Sequence, residues 1–308
     1  MSVRHAAATD SGRRRRRNED SYVVVPPLFA IADGMGGAQA GEVASQLAAG
    51  VLREAHGDER GEERLVALVQ EANLRVYRRS HEDAATAGMG TTMTVALVDG
   101  TTIAFGHVGD SRAYRVRGGQ LEQLTDDHSL VGELVRSGKL SEEEAEHHPQ
   151  RAVITRALGT EADVDVDTFT VEAEPDDLFL ICSDGLTDMV PDRQILAAID
   201  GIDDLDRAAR SLVRVANANG GEDNITVILF QVGGETASGD TASMPAIVAP
   251  DLDPDPIADD EDTLSGLDAI PTVATAAEPG FVARVLPLLA LLSALGLIAL
   301  LVLWGLAR

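Results

Sequence analysis

Residues 91–124 read TTMTVALVDGTTIAFGHVGDSRAYRVRGGQLEQL, and this stretch constrains the fold more than any other. Short runs of apolar and β-branched residues alternate with Asp-Gly, Gly-Asp and Gly-Gly pairs, whose glycines supply the backbone freedom that tight turns demand. Connections this short join antiparallel neighbours, because a parallel pair needs a crossover of about a dozen residues or more. The same reading holds upstream, where SYVVV and LFAIA are separated by Pro26 and Pro27. Helices are expected in GEVASQLAAGVLREA, EERLVALVQEANLRVYRRS, DRQILAAI and LDRAARSLVRVANANG, where apolar residues recur at helical spacing. Meandering strands with a few long helices predict a layered α+β domain rather than a doubly wound parallel sheet. A dinucleotide-binding reading of ADGMGG is disfavoured as well, because its glycines lack the G-x-G-x-x-G spacing.

This folded unit is expected to occupy residues 1–233. Residues 234–280 are dominated by small residues, proline and acids without a sustained period, so they bury too little surface to offset their ordering entropy and read as an extended linker. Residues 285–307, VLPLLALLSALGLIALLVLWGLA, carry no charge. As a helix they would measure about 35 Å, enough to cross roughly 30 Å of hydrocarbon. A single-pass transmembrane anchor is therefore expected over residues 281–308, with Trp304 as an interfacial aromatic. Arg284 and Arg308 flank the run about equally, so orientation rests on the N-terminal segment. There RRRRRNED interrupts any apolar signal core, and the expectation is a cell-membrane protein with its folded unit in the cytoplasm. Acidic residues outnumber basic ones 51 to 25, a formal charge of −26, which argues against general affinity for nucleic acid or anionic lipid. Cys182 is the single cysteine, which excludes an internal disulfide, and its surroundings LFLICSDG read as buried.

Acids recur where strands begin or end: Glu19 and Asp20 in RRRRRNEDS, Asp33 in IADGMGG, Asp110 in HVGDSR, Asp184 in LICSDGLTD and Asp223 in GGEDNITV. One aspartate of this kind reads equally well as a turn or cap residue. Gathered together, such carboxylates raise one another's pKa unless a cation neutralises them. Oxygen donors without cysteine or a compact histidine cluster favour Mg²⁺ or Mn²⁺ over zinc. Gly34 has no side chain to keep its carbonyl from an ion that Asp33 also binds. Two ions sharing a carboxylate and a water lower that water's pKa and clamp a phosphoryl oxygen, which is the chemistry of hydrolytic phosphoryl transfer.

Taken in order, R-x-x-NED, ADGMGG, GTT, VGDSR, LTDDHSLV, ITRALG, CSDGLTD and GGEDNITV resemble the metal-dependent PPM-type, or type 2C, serine/threonine protein phosphatases across about residues 10–232. The resemblance implies an antiparallel β-sandwich flanked by helices (α-β-β-α), with two or three Mn²⁺ or Mg²⁺ ions at one end. It implies that Asp33 bridges two ions and Gly34 offers its carbonyl. Asp184 and Asp223 would complete one ion's ligands, Glu19 and Asp20 would serve the other directly or through water, and Asp110 with Asp184 would hold a third. Arg15, ahead of the acids of the first motif, would bind phosphate. Residues 126–158 match the family's mobile flap beside the substrate path. Animal members often carry a histidine where this chain has Met35, so leaving-group protonation is expected from water at the ions. Implied partners are phosphorylated proteins, including membrane-associated serine/threonine kinases and their targets, with phosphorylated anti-sigma-factor antagonists as rival substrates. A catalytically silent phosphoprotein-binding scaffold is the alternative from another class.

The remaining polar residues carry blander expectations. Apart from Arg15, the run Arg13 to Arg17 reads as a solvated basic rim that attracts acidic phosphopeptides, or as an exposed targeting or nucleic-acid patch. His147 and His148, ahead of Pro149, read as surface residues at a helix end, and His107 as packed within a strand. His128 either orients the flap or caps it. Asn224 either holds Asp223 or serves as the turn residue before the last strand.

Overall fold

A computed structural model describes residues 3–36, 40–55, 60–146 and 148–233. The linker expected at 234–280, the anchor expected at 281–308 and His147 lie outside these residues. The chain runs through β1 (Val3–Asp10), β2 (Asp20–Val25), β3 (Leu28–Met35), α1 (Ala40–Glu54), α2 (Glu62–Glu82), β4 (Gly90–Thr91), β5 (Met93–Asp99), β6 (Thr102–Val108), β7 (Arg112–Arg117), β8 (Gln120–Gln123), α3 (Leu130–Arg136), α4 (Glu142–Glu146), β9 (Asp167–Glu172), β10 (Leu178–Cys182), α5 (Asp184–Thr187), α6 (Asp192–Ile199), α7 (Leu205–Ala218) and β11 (Ile225–Val232).

The strands form two sheets, one ordered β1-β11-β10-β7-β8 and the other β2-β3-β5-β6-β9, with β4 added beside β3. Every pairing within them is antiparallel, as the turn spacing predicts. The inner faces meet through Phe29, Ile31, Phe105, Phe179, Ile181, Ile228 and Phe230, all buried. Phe230 stacks on Phe29 at 4.7 Å and on Phe179 at 5.2 Å, so aromatic rings tie one sheet to the other. On the outside of the second sheet α1 and α2 cover Ala30, Ala32 and Val95, and α1 approaches closely because Ala44, Ala48 and Ala49 line its buried face. α6 and α7 cover the outside of the first sheet over Leu180, Val227 and Leu229. Four layers result, helix, sheet, sheet and helix, as expected. β3 reads as a continuous apolar run because both of its faces are covered.

One expectation needs correction. β6 and β7 read as hairpin neighbours, yet β6 pairs with β5 and β9 in one sheet while β7 pairs with β10 and β8 in the other. The Gly-Asp pair between them is a passage from sheet to sheet, not a β-turn within one. Gly109 takes φ +116°, and a Cβ there would collide with Thr92, so only glycine fits the corner that carries Asp110. β1 carries little signal in its sequence VRHAAATD, and it is a half-exposed edge strand paired along its length with β11.

Candidate metal centre

The start of β2, the end of β3 and the end of β6 lie at one edge of their sheet, and the end of β10 and the start of β11 lie at the corresponding edge of the other. Asp20 stands directly opposite Asp33 in the β2–β3 register. The main chain of Asp33 is fixed by the two threonines after β4's glycine. Its N–H donates to Thr92 Oγ1 (3.0 Å), and its carbonyl accepts from the Thr92 N–H (2.9 Å) and the Thr91 hydroxyl (2.7 Å). From the other sheet, the hydroxyls of Ser183 and Thr226 donate to Asp20 Oδ2 (2.8 and 2.6 Å). The sheets are thus stitched together at the same place where the acids converge.

Asp33 faces Asp20, Asp184, Asp110 and Asp223; burial first, and then these neighbours, hold its carboxyl well above the usual range. Burial, followed by Asp110 and Asp188, raises Asp184 well above its usual value. Asp110 is pushed up to about 7 by burial and then by Asp127. Asp20 is pushed up to about 6 by burial, against the opposing effect of its hydrogen bonds from Thr226 and Ser183. Three carboxylate oxygens, Asp20 Oδ1, Asp110 Oδ1 and Asp184 Oδ1, are buried without a hydrogen-bond partner. An anionic oxygen in that state is costly unless a cation compensates it. Among the described residues no three His, Cys, Asp or Glu side chains form a ready ligand group. Two of these acids are instead engaged with protein partners, Asp223 with Arg15 and Asp20 with its two hydroxyls.

Gly34 is glycine for a reason the sequence did not disclose: a Cβ there would collide with the main chain of Gly41 and Glu19. Gly41 in turn leaves a space bordered by Glu19 Oε2 and the Gly34 carbonyl, which a Cβ would fill. Two oxygen acceptors therefore share a cleft with no donor of their own to offer. Burial raises the Glu19 carboxyl, against the lowering effect of Arg15.

Arg15 reaches the cluster from the solvent side, with Nη2 2.6 Å from Asp223 Oδ2. Asn224, 4% exposed, is more than a turn residue. Its side-chain amide donates to the carbonyls of Ser11 (3.1 Å) and Arg17 (2.9 Å), and its Oδ1 accepts from the Glu19 N–H (2.7 Å). It grips the arginine loop and Glu19, while only its own backbone N–H meets Asp223 Oδ1 (2.8 Å).

The segment 126–158 carries α3 and α4 and is anchored through His128. That histidine's N–H donates to the Gly109 carbonyl (2.7 Å), and its Nδ1 accepts from the Gly109 N–H (3.0 Å), which leaves the Nε2 proton for Asp167 (3.1 Å). Arg112 clasps both oxygens of Asp127 (Nε–Oδ1 2.9 Å, Nη2–Oδ2 2.7 Å). His128 thus orients the segment rather than capping a helix; Ser129 is the cap of α3. His107 is packed as expected, its Nδ1 2.9 Å from Thr94 Oγ1 and its Nε2 3.0 Å from the Asp126 carbonyl. His148 is half-buried at the end of α4. Cys182 is fully buried, and burial pushes its thiol up to about 12, which suits an inert core residue. Met35 ends β3 with its side chain against Gly90.

The structure therefore brings Asp20, Asp33, Asp110, Asp184 and Asp223 into one cluster, with Glu19 and the Gly34 carbonyl beside it and Arg15 at its rim. Ser183, Thr226 and Thr92 were not singled out by sequence reasoning. Their positions next to motif residues were visible, but the partners they take lie far along the chain.

Comparison with known proteins accords with this geometry. A family described as Protein phosphatase 2C matches residues 14–229. The serine/threonine phosphatase stp of Listeria monocytogenes serotype 4b is 41% identical over 212 residues, covering 67% of this chain and 84% of that protein. The crystal structure of the Mycobacterium tuberculosis serine/threonine phosphatase PstP/Ppp superposes with a TM-score of 0.72 at 40% identity, covering 76% of this chain and 100% of that one. The catalytic domain of PstP in complex with 2 manganese ions gives 0.69 at 40% identity, over 75% of this chain and 99% of that one. With its sandwich, its acid cluster and these matches in agreement, the chain belongs to the protein phosphatase 2C family.

Proposed function

We propose that this protein hydrolyses phosphoserine and phosphothreonine in other proteins, using Mn²⁺ or Mg²⁺ at the acid cluster. The observation that carries the reading is the trio of buried, unpartnered carboxylate oxygens on Asp20, Asp110 and Asp184, an all-oxygen set suited to a hard cation. Asp33 would hold the ions, with the Gly34 carbonyl, Asp184 and Asp223 as further donors. Glu19 and Asp20 would act directly or through water, and Asp110 with Asp184 would hold a third ion. When bound, the ions supply an activated water and polarise the phosphoryl group. Arg15 supplies a guanidinium fork to the phosphate oxygens. Ser183 and Thr226 hold the Asp20 carboxylate in place, and Thr91 and Thr92 hold the backbone of Asp33.

The test is phosphate release from a phosphothreonine peptide with Mn²⁺, with Mg²⁺ and after chelation, for the wild type and for Asp33→Asn. Metal-dependent release that disappears in Asp33→Asn is expected. No release by folded protein with either metal would favour a binding scaffold instead, and normal turnover by Asp33→Asn would remove the assigned centre.

We also propose that residues 285–307 anchor the protein in the cell membrane with its folded unit in the cytoplasm. Among the described residues no helix is long and apolar enough to cross a membrane. The support is the uncharged sequence itself. Membrane-associated serine/threonine kinases and their targets would then be substrates within reach. Carbonate-resistant membrane association should vanish when residues 281–308 are deleted, and full retention would overturn the anchor.

A further inference from the structure

Five consecutive arginines are anomalous in a chain of formal charge −26, and the fold sets Arg15 against Asp223 of the acid cluster. Their backbone is held at both ends. The N–H groups of Arg13 and Arg14 donate to the Gly221 carbonyl (2.7 and 3.3 Å), and the Arg17 carbonyl accepts from Asn224. The side chains then diverge. Arg14 meets Glu222 (3.0 Å), Arg15 meets Asp223 (2.6 Å), and Arg17 lies 3.8 Å from Glu42. Arg16 is exposed and forms no ion pair among the described residues. Arg15, Arg16, Arg17 and Glu19 line a pocket of about 200 Å³. Three of these four lining residues are arginines, and Glu19 is the only acid among them.

We propose that this pocket binds a second anion of the substrate, so that the enzyme selects phosphoserine or phosphothreonine segments carrying another phosphate or a carboxylate within one to three residues. The proposal rests on the phosphatase reading above and specifies its substrate class. One guanidinium, Arg15, suffices for the phosphate that is hydrolysed. Neighbouring Cα atoms are about 3.8 Å apart, so Arg16 and Arg17 reach anions up to about 10 Å from one held by Arg15. An extended peptide covers that distance in two or three residues. The chain's net charge repels acidic segments, so attraction to them must be local, and a loop pinned at both ends loses little freedom when it binds one. Arg16 is the residue that tests the idea cleanly, because among the described residues it has no ion pair to lose.

The experiment compares the full chain with Arg16→Ala and Arg16→Glu on three phosphothreonine peptides. One has neutral flanks, one has glutamates two residues on either side, and one has a second phosphothreonine two residues away. With Mn²⁺, the wild type is expected to show kcat/KM about tenfold higher for the two anionic peptides than for the neutral one, through KM, with the advantage shrinking at high salt. In Arg16→Ala the ratio should fall severalfold, and in Arg16→Glu it should reach about one or invert. An advantage for the doubly phosphorylated peptide alone would assign the pocket to phosphate; an advantage for both would assign it to anions in general. Equal kcat/KM for all three peptides in the wild type, or a ratio untouched by Arg16→Glu, would overturn the proposal. Anisotropy of the labelled peptides in EDTA reads the pocket without turnover. Tighter binding of the anionic peptides that Arg16→Glu abolishes would support the pocket even if no peptide were hydrolysed, whereas hydrolysis without selectivity would leave the phosphatase reading intact and reject the pocket.

Discussion

Replacing Asn224 with alanine removes three hydrogen bonds at a position 4% exposed. The Glu19 N–H loses its acceptor, and the carbonyls of Ser11 and Arg17 lose their donor. Each neutral hydrogen bond contributes about 1 kcal/mol net, and a buried N–H left alone costs about 1–3 kcal/mol, so the loss should be about 3 kcal/mol. In a domain of roughly 230 residues 1 kcal/mol shifts Tm by about 2–4 °C, which gives a fall of about 6–12 °C. Function should suffer as well, because the same amide sets the loop bearing Arg15 and the backbone of Glu19. KM for a phosphothreonine peptide and the Mn²⁺ concentration for half-activity should both rise severalfold. Asn224→Asp keeps the acceptor for Glu19 but turns an oxygen toward two carbonyls, so it should be at least as harmful. Asn219→Ala is the control, since that exposed amide bonds Met189 and Gln194 away from the cluster. The assays are thermal unfolding by circular dichroism and Mn²⁺ titration of peptide hydrolysis. A Tm for Asn224→Ala within about 2 °C of wild type, with unchanged Mn²⁺ dependence, would refute the claim that Asn224 holds the loop.

Chelation should destabilise the protein more at pH 8 than at pH 5.5. The metal-free carboxyls of Asp20 and Asp110 are raised to about 6 and about 7, so the stability they contribute is full below an unfolded value of about 3.9 and is lost as pH rises through 6 and 7. Equal losses in Tm at the two pH values would contradict this. His107 works in the opposite direction: burial, and then His128, holds it down to about 4, so its contribution is present above its unfolded value of about 6.5 and is lost as pH falls through 4. The stability of wild type relative to His107→Gln should therefore decline by about 3 kcal/mol between pH 7 and pH 4 in urea titrations, and a constant difference would argue against a neutral buried imidazole. Asp127→Ala strips Arg112 of its clasped partner and should cost about 3 kcal/mol. It should also speed tryptic cleavage after Arg136 and Lys139, and an unchanged cleavage rate would detach this pair from the anchorage of segment 126–158.

Local signals made much of the fold legible before any contact was known. Turn pairs after Val98 and Arg117 marked true hairpins, and helical spacing marked α1, α2, α6 and α7 to within a residue or two. Acids beside the strands marked the centre, because a residue at a strand's end is positioned by the strand itself. Tertiary structure decided the rest. Gly109 and Asp110 looked like one more turn and are instead a passage between sheets, since strand sequence does not reveal which sheet a strand will join. Gly34 looked like an opening for its carbonyl and is also a close contact with Gly41 and Glu19. Asn224 looked like a companion of Asp223, yet its side chain serves Ser11, Arg17 and Glu19, all more than 200 positions away. The sequence by itself determined the long helices, the true hairpins and the acids at strand ends, because these depend on turns and side-chain period within a few residues. Only the tertiary structure decided which oxygens are left buried without partners and which amide holds the arginine loop, because those contacts exist only once distant segments have packed together.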